Sequence, residues 1–288
     1  MPHLSTGATG AMRDLRADDV RPVAHHSRTQ PQSGGARVLR LLSYNIQTGI
    51  ATTNFHRYLV QSWKHVLPYA GRVDNLDSIA RLVSDFDVVG LQEVDAGSLR
   101  SGFINQAEYL ADQAGFPYWH CQTNRNLGKL AQHSLGLLSR YRPREIREHK
   151  LPGMIPGRGV LWVRFGTGSH SLILLILHLA LGRRARLRQL AFISELVNGH
   201  RNVIMMGDLN CRSSSREMDL LMRSTHLCEP TPGLNTFPSW RPYRNIDHIL
   251  VSSSLRVQSV QVLNYLFSDH LPVAMEVILP DEVVFSEG

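Results

Sequence analysis

The chain has 288 residues, 43% of them hydrophobic, with a formal net charge of +7 and three cysteines. That is ample apolar material for a globular core, and it excludes a chain too polar to fold. The longest apolar run, Leu172–Leu177, is far short of the roughly 20 residues of a membrane-spanning helix, and Cys121, Cys211 and Cys228 form neither an even disulfide framework nor a metal-type pair.

Residues 1–37 mix Gly, Ser, Pro, His and Arg without an apolar core. They read as a disordered leader and not as a secretory signal, so a cytoplasmic location and reduced thiols are expected. Folding is expected over 38–280, with a short tail at 281–288. The first strand, Val38–Ile46, carries Asn45 at its downstream end. Residues 51–70 predict an extra helix, with Leu59, Trp63, Val66 and Leu67 on a packed side and Arg57, Lys64 and His65 opposite. Asp74 or Asn75 can cap the next helix, whose Leu76, Ile79, Ala80 and Val83 share one face. Strand Phe86–Val94 presents Glu93, and helix Asn105–Ala114 stops at Gly115.

Strands are predicted at Leu135–Leu138, Val160–Phe165 and Leu172–Leu181, the last interrupted by His178. Between them, residues 139–150 read "SRYRPREIREHK", a charged helix or loop. "RRARLR" at 183–188 opens a helix, Arg184–Asn198, that ends at Gly199. The apolar strand Val203–Met206 runs into Gly207, which frees a turn, and then Asp208 and Asn210. Ser214 with Glu217 is a capping-box pattern before Met218, Leu220 and Leu221. Phe237, Trp240 and Tyr243 precede strand Ile246–Val251, which carries Asp247. Val257–Leu263 follows, then Asp269 and His270, then Val273–Leu279. Many of these strands are continuously apolar and so need cover on both faces. No repeat or linker divides them. One domain of packed sheets with helices outside is expected.

The polar residues gather at strand ends. Singly, each is an ordinary turn former or a satisfied core residue. Together, Asn45, Glu93, His178, Asp208, Asn210, Asp247, Asp269 and His270 can converge, because neighbouring strand ends lie only about 5 Å apart. Four carboxylates in one pocket repel unless a cation sits among them, and oxygen donors without clustered Cys or His favour Mg²⁺ or Mn²⁺ over zinc. Competing signatures fail. "CRSSSR" at 211–216 is one residue short of a Cys-x5-Arg phosphatase loop, and no P-loop, Gly-x-Ser-x-Gly elbow or His-Glu-x-x-His helix occurs.

In this order, "SYNIQTG", "LQEVD", "LHLAL", "GDLN", "IDHILV" and "SDHLPV" resemble the endonuclease/exonuclease/phosphatase superfamily, over about residues 38–280. The resemblance implies an α/β fold, a four-layer α/β/β/α sandwich of two packed mixed sheets with outer helices. It implies a metal-dependent phosphoric ester hydrolase using Mg²⁺, or Mn²⁺. Glu93 would be the principal metal ligand, Asn45 would sit beside it, and Asp269 would complete the metal side. Asp208 would orient and deprotonate the attacking water, and Asn210 would hold a phosphate oxygen. His270, oriented by Asp247, would donate to the phosphate. His178 would contact the scissile phosphate or help the leaving group. Gln47 stands where several members carry an acid near the metal, which puts a second metal site in doubt.

For the substrate, the arginines at 183–188 can track a nucleic-acid backbone or dock on an anionic membrane surface. Arg183 and Trp240 are the substrate-binding candidates. The leading expectation is a monomeric hydrolase cutting a phosphodiester of nucleic acid. A phosphatase or phosphodiesterase of a lipid, inositol phosphate or other small phosphoester comes second. An inactive binding protein on the same fold comes third, disfavoured by the complete acid–amide–His set.

Overall fold

The structure, a computed structural model, describes residues 13–15, 37–47, 71–126, 132–153 and 157–285. The helix expected over 51–70 lies outside them, as does most of the expected leader. Two mixed sheets are formed. One has the order β1 (Arg13–Leu15), β6 (Glu145–Lys150), β7 (Gly159–Phe165), β8 (Leu172–His178), β9 (Asn202–Asp208), β11 (Asp247–Ser252), β10 (Leu227–Cys228). The other runs β12 (Arg256–Val262), β13 (Val273–Ile278), β2 (Val38–Asn45), β3 (Val88–Val94), β5 (Gln132–Ser139), β4 (Tyr118–Asn126). Four helices are described: α1 (Gly71–Val83), α2 (Gln106–Ala114), α3 (Arg183–Val197) and α4 (Arg216–Ser224).

The continuous apolar runs divide their side chains by the period of two. Leu39 and Leu41 of β2, Leu172, Leu174 and Ile176 of β8, and Ile204 and Met206 of β9 fill the core between the sheets. The intervening Leu42 and Tyr44 face outward with Leu76, Ile79 and Val83 of α1 and Leu110 of α2. On the opposite side Ile173, Leu175, Val203 and Met205 pack with Leu190 and Ile193 of α3 and Met218 and Leu221 of α4. The result is the four-layer α/β/β/α sandwich that the motifs imply. Among the described residues each sheet has one parallel pair, joined by a helix: β2 and β3 through α1, β8 and β9 through α3. Parallel strands deliver both their downstream ends to one side, and these are the ends that carry the polar residues.

Several boundaries differ from the sequence reading. Arg13–Leu15, inside the expected leader, pairs antiparallel with the outer side of β6. Residues 145–150 are a strand, not a helix or loop, and Glu145 takes Arg147 and Arg164 as partners. β4 is an edge strand whose polar sequence has no apolar run to announce it. Asp74 and Asn75 lie inside α1, which begins earlier, at Gly71. The cap of α4 is Ser215, which accepts from Met218 N–H, so Ser214 is not the cap and Glu217 is released for other partners. Asn105 does cap α2, and Gly115 ends it in the left-handed conformation. Gly207 does not make a turn. It sits within β9 at φ 148°, where a Cβ would fall 1.9 Å from Leu177 O of β8.

Candidate active site

The register of the first sheet sets His178, Asp208 and Asp247 side by side. His178 is opposite Asp208 across the parallel β8–β9 pair, and Asp208 is opposite Asp247 across the antiparallel β9–β11 pair. All three are buried. His178 Nε2 lies 3.3 Å from Asp208 Oδ2. Asn45, from the end of β2 in the other sheet, donates its amide to the same oxygen at 3.3 Å. Asn210, held at φ 52°, donates its backbone N–H to Asp208 Oδ1 at 2.9 Å and its side-chain amide to Leu179 O. Asp208 is thus the junction of both sheets.

His270 comes from the loop before β13. Its Nδ1 is 2.8 Å from Asp247 Oδ2, which also accepts from Thr236 Oγ1, and its Nε2 stands 3.9 Å from Asp208 Oδ2. Phe237 lies against the imidazole, with ring centroids 4.9 Å apart. Burial alone would discharge His270, but the Asp247 charge and hydrogen bond outweigh it and hold its pKa well above the usual histidine range. Burial would likewise raise Asp208. The hydrogen bonds from His178 and the Asn210 N–H, with the His270 charge, prevail and hold its carboxyl below the usual range. The group therefore presents an imidazolium N–H beside a fixed carboxylate, a pairing suited to an anion and a polarised water.

Glu93 and Asp269 form the acidic side. A bulge in the β3–β5 ladder between Leu91 and Val94 puts Glu93 at φ 56° and turns it out of the strand's alternation. It makes no hydrogen bond or ion pair among the described residues. Burial pushes the Asp269 carboxyl up to about 6, the His270 charge opposes this, and the nearby Glu93 charge adds to it. Asp269, raised by burial and by the nearby Glu93 charge, and Glu93, without a donor among the described residues, are an oxygen set that a divalent cation would relieve. These residues fit such an ion. Asp208, Asp247 and His270 also offer ligand atoms within 4.8 Å of one another. Asn45, expected on the metal side, donates to Asp208 and accepts through Oδ1 from Gln47 N–H.

Arg183 and Trp240 are not joined to this group. Arg183 opens α3, is exposed, and stands 3.8 Å from Glu217, while the neighbouring Arg186 takes Glu217 at 2.8 Å. Trp240 sits at the tip of the turn closed by the Phe237–Arg244 bridge, one residue beyond Ser239, whose N–H bonds Asp269 O. Sequence reasoning missed three residues. Thr236 donates to Asp247, Ser268 donates to Asn45 O at 2.7 Å, and Arg158 meets His178 Nδ1 at 2.9 Å. Ser268 adjoins the "DH" pair and was open to notice. Nothing local marks Thr236 or Arg158.

Comparison with known proteins agrees with this fold. A family model described as "Endonuclease/Exonuclease/phosphatase family" matches residues 42–270. Among solved structures, the chain resembles an endonuclease/exonuclease/phosphatase from Beutenbergia cavernae (21% identity, 84% of this chain and 72% of that one, TM-score 0.67). It also resembles a family protein from Bacteroides thetaiotaomicron (19% identity, 86% and 100% covered, TM-score 0.65). A mannosyl-6-phosphatase from Bacteroides thetaiotaomicron is similar as well (21% identity, 83% and 99% covered, TM-score 0.63). At such identities the likeness speaks for the fold. A search of curated proteins finds no match.

Proposed function

The chain belongs to the endonuclease/exonuclease/phosphatase family, and on that premise we propose that it is a divalent-cation-dependent phosphoesterase whose first substrate class is the phosphodiester of nucleic acid. One observation carries the reading: the buried His270–Asp247 pair stands beside the Asp208 carboxylate, and Asp269, next in the chain to His270, feels the charges of His270, Glu93 and Asp247. Hydrolysis of a phosphate ester demands mainly positioning and charge neutralisation, since the transition state spreads charge over the non-bridging oxygens.

Glu93 and Asp269 would hold the cation, Mg²⁺ or Mn²⁺. When bound, the ion supplies charge neutralisation and a bound water of lowered pKa. His270 holds its proton at Nε2, turned toward the reacting phosphate, while Asp247 fixes the ring. Asp208 is a weak base, because three donors already stabilise its anion, so it orients a water more than it competes for the proton. Asn210 keeps a second amide hydrogen for a phosphate oxygen. Arg183, Arg184 and Arg188 are exposed near the start of α3, five residues and more beyond His178, and support a polyanionic substrate. Trp240 would border it.

A second reading, a small phosphoester, is favoured by the likeness to the mannosyl-6-phosphatase. Among the described residues no helix is long and apolar enough to cross a membrane. A monomer in the cytoplasm completes the proposal. The test compares nicking of plasmid and abasic DNA with phosphate release from sugar, inositol and lipid phosphoesters, with Mg²⁺, Mn²⁺ or chelator, using Asp208→Ala as control. DNA cleavage that Asp208→Ala lacks supports the nuclease. Turnover confined to the small esters replaces it with the second reading. No turnover at all by folded protein refutes both.

A further inference from the structure

Arg158 immediately precedes β7 and lies outside every motif used above. Its Nη1 is 2.9 Å from Nδ1 of His178. A guanidinium carries donors only and keeps its charge at every accessible pH. The ring nitrogen that faces it must therefore offer a lone pair. On the far side of the ring, Nε2 meets Asp208 Oδ2, which accepts from Asn45 as well, so Nε2 must carry the hydrogen. Turning the ring over would set C–H groups against both partners. The side chain is 7% exposed, which leaves little room for water to substitute. One form of His178 satisfies both contacts: neutral, with its proton on Nε2.

We propose that Arg158 is a positioning residue of the phosphoesterase site, holding His178 as a neutral Nε2–H donor, so that His178 is not the acid that protonates the leaving group. The role rests on the phosphoesterase reading above; the tautomer does not. To act as that acid, His178 would have to carry a second proton on Nδ1, which would set an N–H and a like charge against the guanidinium. The two histidines that flank Asp208 thus meet opposite partners, a guanidinium at His178 Nδ1 and a carboxylate at His270 Nδ1. His270 is the charged donor of the group, and His178 is a fixed dipole directed at Asp208 or at the anion that takes its place.

The experiment is ¹⁵N NMR of the histidine rings in the full-length protein, with His178→Gln used to assign the resonance. Wild type is expected to show a protonated Nε2 and an unprotonated Nδ1. Arg158→Lys, which retains a cationic donor, should preserve that pattern, and Arg158→Ala should lose it. A wild-type His178 protonated on Nδ1 or on both nitrogens overturns the proposal, as does an unchanged pattern in Arg158→Ala. The wild-type spectrum decides the tautomer even if a variant fails to fold, and Arg158→Lys against Arg158→Ala decides the part of Arg158. In turnover, His178→Gln should lose roughly tenfold, the value of one hydrogen bond, equally for nitrophenyl and alkyl leaving groups. A further loss of about 10²-fold or more confined to alkyl leaving groups would identify His178 as the acid and overturn the proposal. If wild type turns over neither ester, the functional reading fails while the spectra still decide the tautomer.

Discussion

Replacing Gly207 with alanine places a methyl carbon 1.9 Å from Leu177 O, 2.9 Å from Leu177 C and 3.2 Å from Leu177 N. These are backbone atoms of the neighbouring parallel strand and cannot swing aside as a side chain would. Ordinary contact begins at 3.4 Å, so β8 and β9 must part by about 1.5 Å at a spacing normally near 4.8 Å. That breaks one or two ladder hydrogen bonds, at about 1 kcal/mol each, and φ 148° adds about 1–3 kcal/mol for a residue with a side chain. The expected loss is about 2–5 kcal/mol, a large part of a typical domain's stability. Leu177 and Gly207 are register partners, and the next pair along is His178 and Asp208. A shift of about 1 Å there should also cost roughly 10²-fold in turnover of the molecules that remain folded. Urea unfolding followed by tryptophan fluorescence gives the first quantity, and initial rates below the transition give the second. Gly168→Ala is the control, since its φ is also positive but nothing lies within 4 Å of the added carbon; it should cost only about 1 kcal/mol. If Gly207→Ala unfolds at the wild-type urea concentration and turns over normally, the close β8–β9 approach and its role in holding the pair are both wrong.

Asp247→Asn removes the charge that keeps His270 protonated, and kcat should fall by roughly 10²–10⁴ with KM little changed; an unaltered kcat would deny Asp247 its bracing role. Asp269, pushed up to about 6 chiefly by burial, binds its proton more tightly folded than unfolded. Its contribution to stability is therefore complete below about pH 4 and is lost as pH rises through about 6, by at most about 3 kcal/mol without cation. Thermal melts in chelator and in Mg²⁺ should diverge across that window; parallel curves would leave Asp269 outside the cation site. Glu217→Ala removes the carboxylate partner of Arg186, which among the described residues keeps only the carbonyls of Ala180 and Leu181, and should cost about 1–3 kcal/mol in a denaturant titration, whereas Arg183→Ala, at an exposed pair, should cost under about 1 kcal/mol. If Arg183 tracks a polyanion, its removal should also reduce the salt slope of binding by about one, and an unchanged slope would make it only a surface charge.

Much of the sandwich is legible in the chain because its inner strands are apolar on both faces. Runs such as "LILLIL" and "VIMM" have one physical solution, a strand covered by a sheet on one side and helices on the other. Strands whose side chains meet solvent or one another's charges carry no such signature. For that reason β4 and β6 carry no apolar signature, and the pairing of Glu145 with Arg147 and Arg164 is not marked in the chain. Helix caps were legible where a side chain bonds its own turn, as at Asn105, and misplaced by one residue at Ser215.

The sequence by itself determined which residue types gather at the strand ends, and in what order, because strand length and alternation are local properties. Only the tertiary structure decided how they meet. Asn45 reaches Asp208 across 163 positions and two sheets, Ser268 reaches the Asn45 carbonyl across 223, and Arg158 stands behind His178. Hydrogen bonds of that kind have no period along the chain. They depend on the register of β8, β9 and β11 and on the packing of one sheet over the other, which is where the charge state of each histidine is set.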